Sequence, residues 1–258
     1  MAARQGWHGW DEYAPFYDWE NARTLGRRDV AFWRQIARAA AGRVLELGCG
    51  TGRVSLPLAR AGIELVGIDR SSAMLARLRA RAGARGRRGP SPDIVRGDIR
   101  RLPFAAAAFA AVIAPYGILQ SLLSDRDLQA ALESAARVLP RGGVFGVDLV
   151  PDVPKWPEYT DRVQHRGRAA AGAHFTLLES VRQDRRRRLT TFEQQYLVRR
   201  RGRTMRHRFA LTFRSLSVPQ MSRRLDKAGF AVESVLGDYR GRPWDPRADV
   251  WIILAKKR

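Results

Sequence analysis

Cysteine is almost missing from this chain: Cys49 is the single one in 258 residues, so no internal disulfide can form and no cysteine cluster can hold zinc or iron. Histidine is nearly as scarce, and His8, His165, His174 and His207 are scattered without the spacing of a ligand set, so no metal site is expected. No segment approaches the roughly 18 consecutive apolar residues of a membrane-crossing helix. The opening MAARQGWHGWDEYAPFYDWE lacks the basic segment followed by an apolar one that marks a secretory leader. These absences lead to the expectation of a soluble, cytoplasmic chain without membrane contact. Lysine is also rare, supplying only four of the 47 basic residues.

What the chain has in excess is arginine, which carries the formal net charge to +22. Such a charge attracts polyanions at low salt. The same arginines accompany an abundance of alanine and glycine, as a compositional bias would produce, and net charge speaks to non-specific association rather than to chemistry. A hydrophobic content of 45% and the length suffice for one large buried core.

Along the chain the hydrophobic period alternates between strand and helix. Apolar positions at helical spacing over 26–41 end at Gly42. The apolar run 43–47 enters the glycine-rich Gly48-Cys49-Gly50-Thr51-Gly52, and a helix follows to Gly62, with Pro57 tolerable in its first turn. A second strand, 63–69, ends at Asp69, and Ser71 is placed to cap a helix through Leu78. An arginine- and glycine-rich excursion occupies 77–88. A third strand, 93–96, leads to Gly97-Asp98, a fourth, 109–114, to Pro115-Tyr116-Gly117, and Ser124 starts a helix ended by Pro140 and Gly142-Gly143. The fifth strand covers 144–150. Three segments rich in β-branched and aromatic residues, 175–183, 189–199 and 204–215, then read as antiparallel strands. A helix over 219–228 and strands over 230–239 and 250–255 return the chain to the main sheet. The pattern predicts a doubly wound α/β fold: a mostly parallel, seven-stranded, Rossmann-like sheet in a single domain over 1–258, with an N-terminal lid segment over 1–25 and an inserted antiparallel β cap over 152–217.

In an open parallel sheet, ligands bind beyond the carboxyl ends of the strands. Gly48, Gly50 and Gly52 follow strand one, where a missing Cβ permits a tight turn and close approach of a ligand. Asp69 closes strand two, where a carboxylate can accept both hydroxyls of a ribose. Asp98 follows strand three, where it can accept from an adenine amino group. A nicotinamide fingerprint requires glycine where Arg53 stands, and no Gly-Lys-Ser/Thr follows to make a P-loop. The acidic Glu46 beside the glycines suits a cationic cofactor better than a pyrophosphate.

Residues 44–53, VLELGCGTGR, resemble the first signature of the class I S-adenosylmethionine-dependent methyltransferases, and 67–75, GIDRSSAML, resemble the second. RGDIR at 96–100 is similar to the third-strand signature and RVLPRGG at 137–143 to the turn before strand five; Tyr13 to Tyr17 resemble an N-terminal aromatic lid, and Gly237-Asp238-Tyr239 a tail of small-molecule members. The resemblance implies S-adenosyl-L-methionine as cofactor. It places Glu46 with Gly48, Gly50 and Gly52 along the methionine part, Asp69 at the ribose and Asp98 with Ile99 at the adenine, and adds Cys49, Arg53, Arg70, Met74 and Pro115 to the cofactor-binding residues. Tyr17 closes over the methionine end, and Pro115, Tyr116 and Gln120 face the acceptor. Two departures stand out: Phe109-Ala110 replaces a frequent Phe-Asp, and Gln120-Ser121 replaces Gln-His, which removes a histidine base. Tyr17, Tyr116 and Gln120 are the candidate catalytic, positioning residues, with Glu193 a further candidate base.

Ala114-Pro115-Tyr116 lacks the polar first residue and second proline of the signature for amino-group methylation on adenine or glutamine. The expected acceptor is a small molecule held under the cap. One alternative is a nucleic acid tracked by Arg185 to Arg188, Arg199 to Arg201, Arg203, Arg206 and Arg208; another is a non-catalytic cofactor-binding or interaction protein. Phe192, Tyr196, Phe209 and Phe213 are expected in core or pocket walls.

Overall fold

The computed structural model describes residues 6–24, 26–84, 89–150, 157–169 and 172–258. Two helices open the chain, α1 (Trp10–Asn21) and α2 (Val30–Ala39), followed by β1 (Val44–Leu47), α3 (Ser55–Arg60), β2 (Leu65–Asp69), α4 (Ser72–Ala82), β3 (Asp93–Arg96) and β4 (Ala111–Ala114). After a short 3-10 turn at Ile118–Ser121 come α5 (Asp125–Val138), β5 (Val144–Leu149), the run β6 (Tyr159–Arg168), β7 (His174–Asp184), β8 (Leu189–Arg200), β9 (Arg203–Arg214), then α6 (Val218–Lys227), β10 (Phe230–Leu236) and β11 (Trp251–Lys257).

The seven-stranded sheet has the order β10-β11-β5-β4-β1-β2-β3. Strands β3, β2, β1, β4 and β5 pair in parallel, and β11 enters antiparallel between β10 and β5. The order reverses between β1 and β4, which opens a crevice beyond their carboxyl ends. Strands β1 and β4 are buried along their whole length, as a sheet covered on both faces demands. One apolar layer packs Leu45, Leu47 and Val112 against Leu128, Leu132 and Met221; the other packs Val44, Ala111 and Ile113 against Trp33 and Leu58. Helix ends follow the expected chemistry: Ser71 and Ser124 accept from the backbone N–H groups of Met74 and Asp127, and Ser217 with Gln220 forms a reciprocal capping box.

The second sheet, β6-β7-β8-β9, is antiparallel throughout. It has four strands where the sequence pattern predicts three. The added β6 is a mostly exposed edge strand whose pairing with β7 shifts register twice, so no apolar alternation announces it. Arg162, Arg166 and Arg168 on this strand discourage edge-to-edge association. Of the expected cap over 152–217, residues 152–156 and 170–171 lie outside the described residues, as do 1–5 and 25 of the lid and 85–88 of the arginine-rich excursion. The first part of that excursion is helix, because α4 continues to Ala82.

The N-terminal segment forms α1, wedged between the two sheets. One side of it carries Tyr13, Phe16 and Tyr17 into a cluster with Leu177, Tyr196 and Leu211 of the second sheet, with Phe16 stacked on Tyr196 at 4.0 Å between ring centroids. Its acidic residues reach the main sheet. Asp11 accepts from the Ser71 hydroxyl, and Asp18 Oδ1 accepts from Thr51 Oγ1 at 2.6 Å and from Arg81 Nη1 at 2.8 Å. Among the described residues no helix is long and apolar enough to cross a membrane.

Candidate active site

A cavity opens beyond the ends of β1, β2, β3 and β4, under α1. Its wall includes ten residues singled out in the sequence: Tyr17, Gly48, Gly50, Asp69, Arg70, Met74, Asp98, Ile99, Pro115 and Tyr116. Both of these glycines have the left-handed backbone that a side chain disfavours, Gly48 at φ +66° and Gly50 at φ +52°. A Cβ on Gly48 would fall 2.4 Å from Ile118 Cγ1, whereas around Gly50 only the loop's own Gly48 carbonyl comes within 4 Å, at 3.9 Å. The first glycine therefore lets the loop close on the wall, and the second leaves room for a ligand beside the backbone.

Asp69 binds the glycine loop directly: Gly50 N–H donates to Oδ2 and Ser71 N–H to Oδ1, each at 2.8 Å. A carboxylate offers about four acceptor sites, so two backbone donors leave capacity for a pair of hydroxyls. Burial raises its pKa against the pull of those donors.

Asp98 is occupied differently. Arg100 donates to it from Nε at 3.0 Å to Oδ1, from Nη2 at 2.6 Å to Oδ2 and from its backbone N–H at 3.0 Å to Oδ1, while Arg70 Nη1 lies 2.9 Å from Oδ2. These bonds lower its pKa, Arg100 foremost. Asp98 lines the cavity and anchors two arginines, with which an adenine amino group would share its oxygens. Their guanidiniums lie 4.1 Å (Arg70) and 4.7 Å (Arg100) from the ring centroid of Trp7, a cavity residue the sequence reading passed over.

Four expected residues do not line the cavity: Glu46, Cys49, Gly52 and Arg53. Cys49 is buried against Leu56, Leu75 and Leu78, and Gly52 packs on Leu56 and Leu78. Glu46 is 3% exposed and accepts from the Ser55 hydroxyl. Burial pushes its pKa up to about 8, so at neutral pH this carboxyl is mostly protonated. The carboxylates that can balance a cation at the cavity are Asp69 and Asp11 instead. Because the folded chain holds the Glu46 proton more tightly than the unfolded chain, with its ordinary 4.5, stability should fall as pH rises from about 4.5 to about 8. Glu46→Gln keeps an acceptor for Ser55 and should flatten that decline, with unfolding midpoints similar to the parent near pH 5 and higher above pH 8. Parallel curves would locate the titration elsewhere.

Arg53 lies beneath the cavity in a buried fork on Asp29, Nη1 to Oδ1 at 2.5 Å and Nη2 to Oδ2 at 2.7 Å. From there it supports the wall: its guanidinium is 5.1 Å from the Tyr116 ring centroid and within hydrogen-bonding reach of the Tyr17 hydroxyl. Tyr116 sits at φ +62°, a strained conformation for a residue with a side chain. The following Gly117 N–H donates to the buried Asp148 Oδ1 at 2.8 Å, and Tyr239 donates to Asp148 Oδ2 at 2.7 Å, so the C-terminal tail braces the turn that presents Tyr116. Burial raises the pKa of Tyr17; it is a neutral phenol, able to donate a hydrogen bond but not to act as a base.

A second cavity adjoins the first. Trp10, Tyr17 and Tyr116 line both, and the second continues under the antiparallel sheet along Thr190, Phe192 and Gln194 of β8, with Tyr13, Glu20, Glu179, Leu211 and Phe213 around it. Phe192 and Phe213 are thus pocket walls, whereas Tyr196 is fully buried core. Gln120 touches this cavity, yet its Nε2 donates to the carbonyls of Val150 and Arg214 at 3.1 and 3.2 Å and its Oε1 accepts from Val150 N–H at 2.8 Å. Its polar atoms join the end of β5 to the end of β9. Glu193 faces the other side of β8 and pairs with Arg182 at 3.6 Å. The carboxylates on this wall are the half-buried Glu20 and the buried Glu179, which the sequence reading missed. Glu20 follows Tyr13 and Tyr17 at helical spacing, a signal that becomes visible once 10–21 is recognised as helix.

Comparison with known proteins agrees with this geometry. The family model described as methyltransferase domain matches residues 44–143. Two relatives named demethylmenaquinone methyltransferase are similar over 187 residues, that of Renibacterium salmoninarum at 32% identity, covering 67% of this chain and 74% of the relative, and that of Paenarthrobacter aurescens at 34%, covering 67% and 69%. Among solved structures, the CcbJ methyltransferase of Streptomyces caelestis superposes with a TM-score of 0.78 at 24% identity over 96% of each chain.

Proposed function

Because the chain belongs to the S-adenosylmethionine-dependent methyltransferases of class I, we propose that it transfers the methyl group to a small-molecule acceptor, with the cofactor in the cavity at the strand ends and the acceptor in the cavity under the antiparallel sheet. The observation that carries the reading is the junction of the two cavities at Trp10, Tyr17 and Tyr116. The relatives named for demethylmenaquinone support a small molecule as the class of acceptor.

The residues present fit the cofactor. Gly48 and Gly50 give it a backbone cradle without side chains, Asp69 has acceptor sites for the ribose, and Ile99, Met74 and Pro115 supply apolar wall. Trp7, packed against Arg70 and Arg100, adds an aromatic wall. When bound, the sulfonium supplies an electrophilic methyl carbon. The protein's task is to hold the acceptor atom in line and to keep water out; positioning of this kind contributes about 7 to 11 kcal/mol. Tyr17 and Tyr116 confine the junction, Arg53 and Asp148 support those two from behind, and Gln120 ties the strand ends together at the acceptor side. Formation of S-adenosylhomocysteine across a panel of small acceptors tests the reading; no turnover with any of them, while the cofactor binds, would oppose it.

The arginine-rich turn between β8 and β9, with Arg199, Arg200, Arg201, Arg203, Arg206 and Arg208, touches neither cavity. Generic RNA should therefore bind only at low salt and receive no labelled methyl group. A protein making several phosphate contacts loses about 10³ to 10⁵ in affinity between 50 and 200 mM salt. Methyl label on RNA, or salt-independent binding, would redirect the assignment to a nucleic-acid acceptor.

A further inference from the structure

The second cavity carries an unusual balance of charge for so basic a chain. Glu20 and Glu179 lie on its wall, Glu179 only 8% exposed, and among the described residues neither is paired with an arginine, lysine or histidine. Their neighbours are neutral donors: Tyr196 donates to Glu20 Oε2, Tyr159 donates to Glu179 Oε1 at 2.5 Å, and Gln194 Nε2 reaches Glu179 Oε2 at 3.0 Å and Glu20 Oε1 at 3.5 Å. The two carboxylates fix which way the Gln194 amide points, since its NH₂ group must face them. Its carbonyl oxygen is left buried with no donor, although the residue is only 5% exposed and lines the cavity. A buried acceptor without a partner costs about 1 to 3 kcal/mol. The arginine on the wall, Arg214, shares Asp125 with Arg224, each at 2.6 Å, and its Nη1 is buried without a partner, so the wall sets two carboxylates against one partly compensated guanidinium. Aromatic rings of Trp10, Tyr13, Tyr17, Tyr116, Phe192 and Phe213 complete the surroundings.

Two unpaired carboxylates, an unsatisfied acceptor and a ring of aromatic faces form a receptor for a cation that donates hydrogen bonds. Resting on the methyltransferase reading above, we infer that the acceptor is a small primary or secondary amine, whose nitrogen is bound by Glu20, Glu179 and Gln194 and takes the methyl group. In the transfer, the ammonium form gives one proton to the Glu20 carboxylate, and the freed nitrogen lone pair forms the new bond to the methyl carbon. The carbon–sulfur bond breaks with its electron pair on sulfur, and the proton passes to water. A sulfonium and an ammonium thus become a thioether, a methylammonium and one proton. Burial raises the Glu20 pKa, which makes it a stronger proton acceptor than an exposed glutamate.

The test is calorimetric titration of the full chain, with and without saturating S-adenosylhomocysteine, using cyclohexylamine and benzylamine against the matched cyclohexanol and benzyl alcohol. The amines should bind at least tenfold more tightly than their alcohols. Glu20→Gln and Glu179→Gln should each weaken the amines by about ten- to a hundredfold, as for loss of one charge-assisted hydrogen bond, while S-adenosylhomocysteine affinity stays unchanged. Where Glu20→Gln fails to unfold cooperatively, Gln194→Met takes its place beside Glu179→Gln. Equal binding of amines and alcohols, no amine binding, or variants that bind amines as the parent does would overturn the inference. Failure of S-adenosylhomocysteine to bind the parent strikes the methyltransferase reading instead, and the titration without it still reads the amine site.

Discussion

Replacing Asp69 by alanine should weaken S-adenosylmethionine binding by about a hundred- to ten-thousandfold, because two hydrogen bonds to a charged group are worth about 1.5 to 3 kcal/mol each. The carboxylate has a second task, since it satisfies the backbone N–H groups of Gly50 and Ser71. Alanine leaves both without their acceptor, so the variant should also lose about 1 to 3 kcal/mol of stability. Asp69→Asn separates the two effects: one amide oxygen can still accept from the loop, so folding should suffer less than cofactor affinity. Calorimetry on variants with intact cooperative unfolding reads the difference, and undiminished affinity in folded Asp69→Ala would move the ribose site elsewhere.

The largest loss of stability is expected from Asp29→Ala. The Asp29 side chain is 0% exposed and the Arg53 side chain 9%. Removing one member of a buried pair strands the other charge, which typically costs about 3 to 5 kcal/mol. The Gly26 carbonyl, 3.4 Å from Arg53, is a poor substitute. Denaturant unfolding measures this directly. A double variant, Asp29→Leu with Arg53→Met, should recover much of the loss, because an apolar pair of similar volume leaves no stranded charge. It should not recover the support beneath Tyr17 and Tyr116, so turnover should remain low while folding returns. Equal stability of Asp29→Ala and the parent would mean that water reaches Arg53.

The main sheet is largely legible in the sequence because each of its strands is short, apolar and bounded by turn chemistry. The third strand is read at its observed limits, Asp93 to Arg96, and Ser71 and Ser124 mark helix starts through side-chain geometry that depends on local sequence alone. The edge strand β6 escapes because an edge exposed on both faces imposes no alternation. Helix α1 escapes for another reason: its residues serve two partners, Asp11 and Asp18 toward the main sheet and Tyr13, Phe16 and Tyr17 toward the antiparallel one. Its one short aromatic stripe is interrupted by Pro15 and flanked by acidic residues, which weakens the apolar period.

At the site, positions set by the backbone are readable and side-chain directions are not. Gly48, Gly50 and Asp69 meet the cavity because the loop after a parallel strand must turn there. Glu46 and Arg53 lie in the same signature but point into the protein, each drawn by a partner, Ser55 and Asp29, that spacing along the chain does not reveal. The opposite holds for Glu20, Glu179 and Gln194. They are remote in sequence and come together only through the pairing of β7 with β8 and the docking of α1.

Trp10 and Tyr17 belong to one helix and face both cavities. Any shift of α1 that favours occupancy of one chamber alters the shape of the other, and such influence is reciprocal in free energy: whatever factor the first ligand applies to the second, the second returns to the first. A ligand that moves these twelve residues of α-helix would therefore couple the two chambers thermodynamically, and to the same degree in either direction.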